Sequence, residues 1–338
     1  MKFLYPLSLV YFLIYKLDMK FSIQKKLSKP VISIGNITWG GTGKTPIVIE
    51  LLNFLVNNNL KPVVLTRGYF RKNSKIPLIL KNGAKLVNVS NSGDEPLLIA
   101  KSVVKAAVIV GKKRYKNALR FENELLPDVY ILDDGFQHWN IKKNLDIVCL
   151  NAANPFGNGL LIPAGNLREK LTALKRASVI ILTNSDIISI KKLRKLEQKV
   201  FSLSGKIPFI TYYGEFKYKT IDLSSDFDIN HFKQFNIYSL SAIGFADGFK
   251  NSIRNSGIKI KDSIILRDHS YYDNTIIKNI IKEKGENSRF IITAKDSVKF
   301  ENVDDNIKQK FAVLTVKPCF MERKKEWDLT ILKSLQSF

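Results

Sequence analysis

From residue 31 onward the chain alternates short, wholly apolar runs with stretches whose apolar residues recur at helical spacing. VISIGN (31–36), PVVLTRG (62–68), AAVIVG (106–111), VYILDDG (129–135), LDIVCLN (145–151) and ASVIILTN (177–184) show no polar alternation, the pattern of strands buried on both faces in a parallel sheet. PIVIELLNFLVNNN (46–59) has helical spacing and an asparagine cluster that ends it. The alternation predicts a doubly wound α/β domain, and such a sheet binds ligands beyond the carboxyl ends of its strands. Further on, KKLRKLEQKVFSLSGK (191–206) reads as a basic helix and PFITYYGEFKYKTIDL (208–223) as strand again, which sets a boundary near residue 215. FNIYSLSAIG (235–244), IKIKDSIILRDH (258–269), SRFIITAKD (288–296) and KFAVLTV (310–316) supply a second, smaller α/β domain. A C-terminal helix is expected in 322–338. The predicted layout is an N-terminal segment over 1–28, a first domain over 29–215 and a smaller one over 216–338.

The first twenty residues, MKFLYPLSLVYFLIYKLDMK, differ from all of this. Phe3 to Tyr15 is uncharged but short of the ~20 apolar residues that span a hydrocarbon core. Pro6 suits a first helical turn, and Phe3, Leu4, Leu7, Val10, Tyr11, Ile14 and Leu17 form a stripe. With Lys16, Lys20, Lys25 and Lys26 near by, the segment reads as an amphipathic helix lying on a membrane surface. A signal peptide would need a small-residue cleavage site, which does not follow. A helix packed on the protein's own core is the other reading.

Composition bounds the partners. The 338 residues are 45% hydrophobic, enough for one large or two ordinary cores. Cys149 and Cys319 stand alone, which leaves no disulfide framework and no cysteine-based zinc site. A formal net charge of +24 favours anionic partners such as phosphorylated substrates or an acidic membrane face. A generally lysine-rich composition would raise the same number without a partner. No zinc-finger spacing or aromatic RNA-binding motif accompanies the charge, so nucleic acid is not expected.

The candidate chemistry sits at the strand ends. After the first strand comes a glycine-rich loop with Gly40, Gly41, Thr42, Gly43, Lys44 and Thr45. Unhindered backbone N–H groups at a helix N-terminus can cradle phosphates, a lysine can reach the β/γ-phosphates, and a hydroxyl can ligate Mg²⁺. The strict phosphate-loop pattern would place glycine at Thr38. VYILDDG then delivers Asp133 and Asp134 at a strand end, the arrangement in which a carboxylate holds Mg²⁺. Asp and Gly are also ordinary turn residues. The two segments together imply a nucleoside triphosphate and Mg²⁺, without naming the phosphate's acceptor.

The order of motifs adds the acceptor. GNITWGGTGKTP, LTRGYFRK, SGDEPLLIA, VGKKRYKNA, LDDGFQH, PFGNGLLIPAGNLRE, FADGF, DHSYY and TAKDSVK follow one another over about residues 31–300. The series closely resembles the tetraacyldisaccharide 4′-kinase family of lipid A biosynthesis. The resemblance implies transfer of the γ-phosphate of ATP to the 4′-hydroxyl of an acylated disaccharide 1-phosphate, with Mg²⁺, at the cytoplasmic face of the bacterial inner membrane. It implies two α/β domains joined by a β-strand hinge, and no obligate protein partner. Carried over by motif, Lys44 and Thr45 are the phosphate-loop lysine and metal ligand, and Asp133 and Asp134 the metal-binding acids. Asp94 is the general base and His269 its orienting partner. Arg67, Tyr69, Glu95, Arg114, Gln137, His138, Arg168 and Glu169 line the nucleotide and disaccharide-phosphate site. The chain departs from the family pattern at Ser270, Asn166 and Ala294.

Residue chemistry is compatible with these roles. A sugar hydroxyl is a poor nucleophile, so a carboxylate that takes its proton assists the incoming phosphoryl group. Guanidinium groups at Arg67, Arg114 and Arg168 suit a doubly anionic ligand set, while acids at 94 and 95 before Pro96 equally fit an ordinary helix start. Two other functional classes stay open at this point. One is a membrane-associated nucleotide hydrolase acting as a switch or assembly protein; the other is a non-catalytic membrane adaptor, which has no use for Lys44, Thr45, Asp94 and Asp133.

Overall fold

The computed structural model describes residues 4–336 other than 70, 73, 85, 86, 268 and 269. Twelve strands form one continuous sheet. In chain order they are β1 (Val31–Gly35), β2 (Pro62–Thr66), β3 (Leu78–Leu80), β4 (Ala107–Val110), β5 (Val129–Asp133), β6 (Leu145–Asn151), β7 (Val179–Thr183), β8 (Phe209–Lys219), β9 (Asn236–Ser241), β10 (Asp262–Ile265), β11 (Ser288–Thr293) and β12 (Phe311–Phe320). Their order across the sheet is β10-β9-β11-β12-β8-β7-β6-β1-β5-β2-β4-β3. Every apolar run read as a strand is one. The central β1, β2, β5 and β7 are buried at all their residues, which is why they show no alternation. The edge strand β10 is buried at none.

Pairing is parallel except at β3–β4 and at β8–β12. Strand β8 pairs parallel with β7 only at Phe209 and Ile210, then antiparallel with β12 from Thr211 to Lys219. This long strand carries the chain from one half of the sheet to the other, and residue 215 lies within it. The C-terminal helix Lys324–Gln336 returns to the first half. Its Trp327 is fully buried against Phe209 and Phe320, with ring centroids 5.7 and 5.1 Å away. Trp327 and Ile331 share a core cluster with Leu51, Leu52 and Leu55 of the helix Lys44–Asn57.

The N-terminal helix runs from Tyr5 to Phe21 with Pro6 in its first turn. Its orientation reverses that of a helix packed on a core. Ser8, Tyr11 and Tyr15, at i, i+3 and i+7, face the protein. The Ser8 hydroxyl donates to the Leu161 carbonyl at 2.9 Å and accepts from the Ala164 N–H at 3.1 Å, and Tyr11 donates to the Arg168 carbonyl at 3.0 Å. Leu7, Val10, Leu13, Ile14, Leu17 and Phe21 are each more than half exposed. The expected stripe is therefore outward, with Tyr11 turned inward instead. Phe3 lies outside the described residues. No helix among the described residues is long and apolar enough to cross a membrane.

Candidate active site

Behind the glycine loop, side chains from three strand ends hold its carbonyls. Asn36 donates to the Thr38 carbonyl at 2.6 Å and to the Thr42 hydroxyl at 3.0 Å. Asn151, ending β6, donates to the Gly41 carbonyl at 3.0 Å, and Thr183, ending β7, to the Thr42 carbonyl at 2.8 Å. Gly40 and Gly43 take positive φ, +114° and +70°, which disfavours side chains. Thr38 does not, and its stretch is fixed by Trp39 N–H to the Asn166 carbonyl at 2.7 Å and Arg168 N–H to the Ile37 carbonyl at 2.8 Å. A threonine there costs the loop nothing conformationally. Helix Lys44–Asn57 begins directly after Gly43, so its N-terminal end faces the loop.

The two acids at the end of β5 have opposite surroundings. Asp134 lies 3.1 Å from Lys44 Nζ, and Arg168 Nη1 bonds both of its carboxylate oxygens at 3.0 and 2.8 Å. Buried Arg114 donates to its carbonyl at 3.2 Å. Burial works to raise the Asp134 pKa, but Lys44 and Arg168 outweigh it and hold the carboxyl well below the usual range. Asp133 is buried too, and accepts from Thr66 at 2.9 Å. Burial, then repulsion from Glu95 and Asp134, pushes it up to about 6. Asp133 and Thr45 line the same cavity, and a carboxylate and a hydroxyl are hard oxygen donors. No group of three or more acids, histidines or cysteines able to hold a metal occurs among the described residues. Mg²⁺ fits such a sparse set, because it usually takes one or two carboxylates plus substrate phosphates and waters.

Across the cleft, Asp94 opens the helix Asp94–Ser102 and is buried while still lining the cavity. It starts a helix, as acids before Pro96 suggest, and its carboxyl belongs to the cavity wall. Lys295, following β11, reaches over from the other half of the sheet, 3.7 Å from Asp94 and 3.0 Å from Glu95. The cavity, about 1280 Å³, brings together the glycine loop, Lys44, Thr45, Tyr69, Asp94, Glu95, Arg114, Asp133, Asp134, Gln137 and Arg168. Arg67, His138 and Glu169 do not line it. Arg67 stacks on the Tyr69 ring, 5.2 Å from its centroid, at the rim. His138 is largely buried, with Nε2 lacking a hydrogen-bond partner; burial, then the charges of Arg114, Lys143 and Arg67, lowers its pKa to about 3. Glu169 is 1% exposed behind the wall, bonded by Gln137 at 2.6 Å, by both Arg176 terminal nitrogens and by the Tyr15 hydroxyl. His269 lies outside the described residues. Sequence reasoning missed Lys295, whose only signal is the TAKD segment, and Arg176, seven residues beyond Glu169 with no motif of its own.

The sequence profile described as "Tetraacyldisaccharide-1-P 4'-kinase" (LpxK) matches residues 1–336. The chain is 33% identical over 305 residues to the tetraacyldisaccharide 4′-kinase of Elusimicrobium minutum, covering 88% of this chain and 80% of that one. It is 32% identical over 292 residues to that of Aquifex aeolicus, covering 86% and 85%. The solved structure of the "apo" form of LpxK from Aquifex aeolicus in complex with ATP matches with a TM-score of 0.78 at 29% identity, over 99% of both chains. The loop, the paired acids and the profile over nearly the whole length agree, and the chain belongs to the tetraacyldisaccharide 4′-kinase family.

Proposed function

We propose that the chain transfers the γ-phosphate of ATP to the 4′-hydroxyl of tetraacyldisaccharide 1-phosphate, a step of lipid A biosynthesis. The observation that carries this reading is the convergence, in one cavity, of Lys44 on its glycine loop, the Asp133–Asp134 pair and Asp94. The loop and Lys44 bind the triphosphate, and Arg114 and Arg168 add positive charge along the same wall. The acceptor hydroxyl attacks the γ-phosphorus as its proton passes to Asp94; the new O–P bond forms, the bridging β–γ bond breaks, and ADP leaves. In this reading His269 orients Asp94. Thr45, Asp133 and Asp134 would hold Mg²⁺, which when bound neutralises charge on the β- and γ-phosphate oxygens. Arg67 and Tyr69, at the rim, meet the acceptor's headgroup and its 1-phosphate, and Gln137, His138 and Glu169 support that wall.

The layout supports a two-part enzyme. The first part carries the glycine loop, the second carries Lys295, and β8 with β12 form the hinge on which the cleft closes to exclude water. The outward apolar face of the N-terminal helix, together with the net charge of +24, docks the enzyme peripherally on the anionic cytoplasmic face of the inner membrane. The test is transfer of labelled γ-phosphate to tetraacyldisaccharide 1-phosphate in detergent micelles, wild type beside Asp94→Ala and Lys44→Ala. Labelled lipid that depends on both residues is expected. Nucleotide hydrolysis without labelled lipid would favour a membrane-associated switch protein and overturn the kinase.

A further inference from the structure

The inward face of the N-terminal helix is built differently from a membrane anchor. Its inward-facing Ser8, Tyr11 and Tyr15 are spent on one loop, the segment that carries Arg168 and Glu169. Tyr15 donates to the Glu169 carboxylate, and its ring lies edge-on to Trp139 at 5.8 Å. Arg176 grips the same carboxylate through both terminal nitrogens, one of them on the oxygen that Tyr15 bonds, while lying over the Phe136 ring at 3.7 Å. Gln137 links this carboxylate, at 2.6 Å, to the Asn36 carbonyl at the base of the glycine loop, at 2.8 Å. The next residue back, Arg168, holds Asp134, and Asp134 holds Lys44. Burial, then the charge of Glu169, pushes the Tyr15 phenol well above its ordinary pKa, so it remains a donor.

We propose that Tyr15 is a positioning residue of the phosphoryl-transfer site: through Glu169 it fixes the backbone from which Arg168 aligns Asp134 and Lys44, and Arg176 completes the clamp. The N-terminal helix then has two separable faces, one for lipid and one for catalysis. A carboxylate as buried as Glu169 is costly unless its partners are all in place; losing the phenol lets it shift, and Arg168 shifts with it. Small displacements of aligned groups tell on the chemical step more than on ground-state binding.

The proposal rests on the kinase reading, and the experiment separates the two. Lipid labelling is measured with dispersed substrate in detergent, alongside ATP affinity by calorimetry and flotation with vesicles of anionic phospholipid. Tyr15→Phe is expected to lower kcat about tenfold or more, with ATP affinity and flotation close to wild type. Arg176→Lys, which leaves the helix untouched, is expected to lower kcat in the same way. The double variant is expected to be little worse than the worse single one, because both act through one carboxylate. A helix that merely tethers the enzyme predicts the reverse, a loss of flotation with kcat intact. Wild-type kcat in Tyr15→Phe, or fully additive losses in the double variant, would overturn the positioning role. No labelled lipid from the wild type would instead overturn the kinase reading beneath it.

Discussion

The two halves of the sheet contribute opposite things to one cavity. Strands β1–β7 and their connections supply the glycine loop, Lys44 and four of the carboxylates around it, Asp94, Glu95, Asp133 and Asp134. Strands β9–β12 and their connections supply Phe245, Lys295, Lys317, the hydroxyl residues Ser252, Thr293 and Thr315 and apolar groups, and no carboxylate among the described lining residues. The first half is already knitted together, since Lys44, Arg114 and Arg168 converge on Asp134. The second half reaches the site through Lys295 at Asp94 and Glu95 and through Phe245 at Gly41; away from it, Glu301 accepts from the Val89 N–H at 3.0 Å, Asn251 donates to Asp186 at 2.6 Å and Val298 joins the first half's core. On the reading proposed above, the difference separates a preformed phosphate site from a cationic cover, and a pair of polyanionic substrates would gain most from that arrangement if the cover closes over them.

The largest expected effect breaks the cover's charge. Lys295→Met should lower kcat/KM for lipid labelling by roughly a hundredfold, the scale of removing one group that stabilises developing charge. Lys295→Arg should recover part of the loss, because a cation still faces Asp94 and Glu95. Circular dichroism and melting should change little, as Lys295 lines the cavity and its substitution removes no core packing. Unchanged turnover in Lys295→Met would mean that the second half contributes shape alone.

How the halves appear in the sequence explains what was legible. Strands buried on both faces announce themselves as apolar runs, and every such run proved to be a strand. The glycine loop and the acids after β5 lie at strand ends, where a doubly wound sheet collects ligands, so Lys44, Thr45, Asp133 and Asp134 could be named from local text. Lys295 could not, because its role depends on the sheet folding back through β8 to bring it over a helix start 200 residues away. Arg176 and the loop-holding pair Asn151 and Thr183 are invisible for the same reason: their partners are distant carbonyls or a carboxylate. The three-residue edge strand β3 is too short for any period. The N-terminal stripe was readable as a stripe, but which side of Tyr11 meets protein is decided by the Arg168 carbonyl it finds.

A middle-sized effect should follow from pH within the preformed half. Asp133, raised to about 6, takes up a proton in the folded state before the unfolded chain does. Its protonated form therefore stabilises the apo fold below about pH 4, the ordinary carboxylate value, and that contribution is lost as pH rises through 6. His138, lowered to about 3, behaves oppositely: its contribution is present above about 6.5 and is lost as pH falls toward 3. Melting temperatures of the apo protein between pH 4 and 7 should accordingly tilt toward acid loss in Asp133→Asn and away from it in His138→Gln. Mg²⁺ affinity in the presence of ATP should rise by up to about tenfold per pH unit below 6, since the metal and the proton compete for Asp133, and flatten above. A Mg²⁺ affinity indifferent to pH across this window would remove Asp133 from the metal set.

The smallest effect probes an apolar contact between the halves at the glycine loop itself. A Cβ added at Gly41 would sit 3.1 Å from the Phe245 Cβ, tighter than an ordinary contact by a few tenths of an ångström. Gly41 needs no positive φ, unlike Gly40 and Gly43, so Gly41→Ala strains nothing in the loop itself. Its consequence falls on the cover, which must stand off slightly from the phosphate site. We expect a few-fold loss in kcat/KM, with the melting temperature almost unchanged, because misplacing a closing element costs rate before it costs stability. Phe245→Ala removes the opposing Cγ and ring but leaves its Cβ, so it should relieve only part of the loss in the double variant. Phe245→Gly removes the clashing atom and should restore most of it. Full restoration by Phe245→Ala would place the strain on the ring instead. No loss in Gly41→Ala would show that the cover rests on Lys295 and the hinge strands, and that the apolar contact merely fills space.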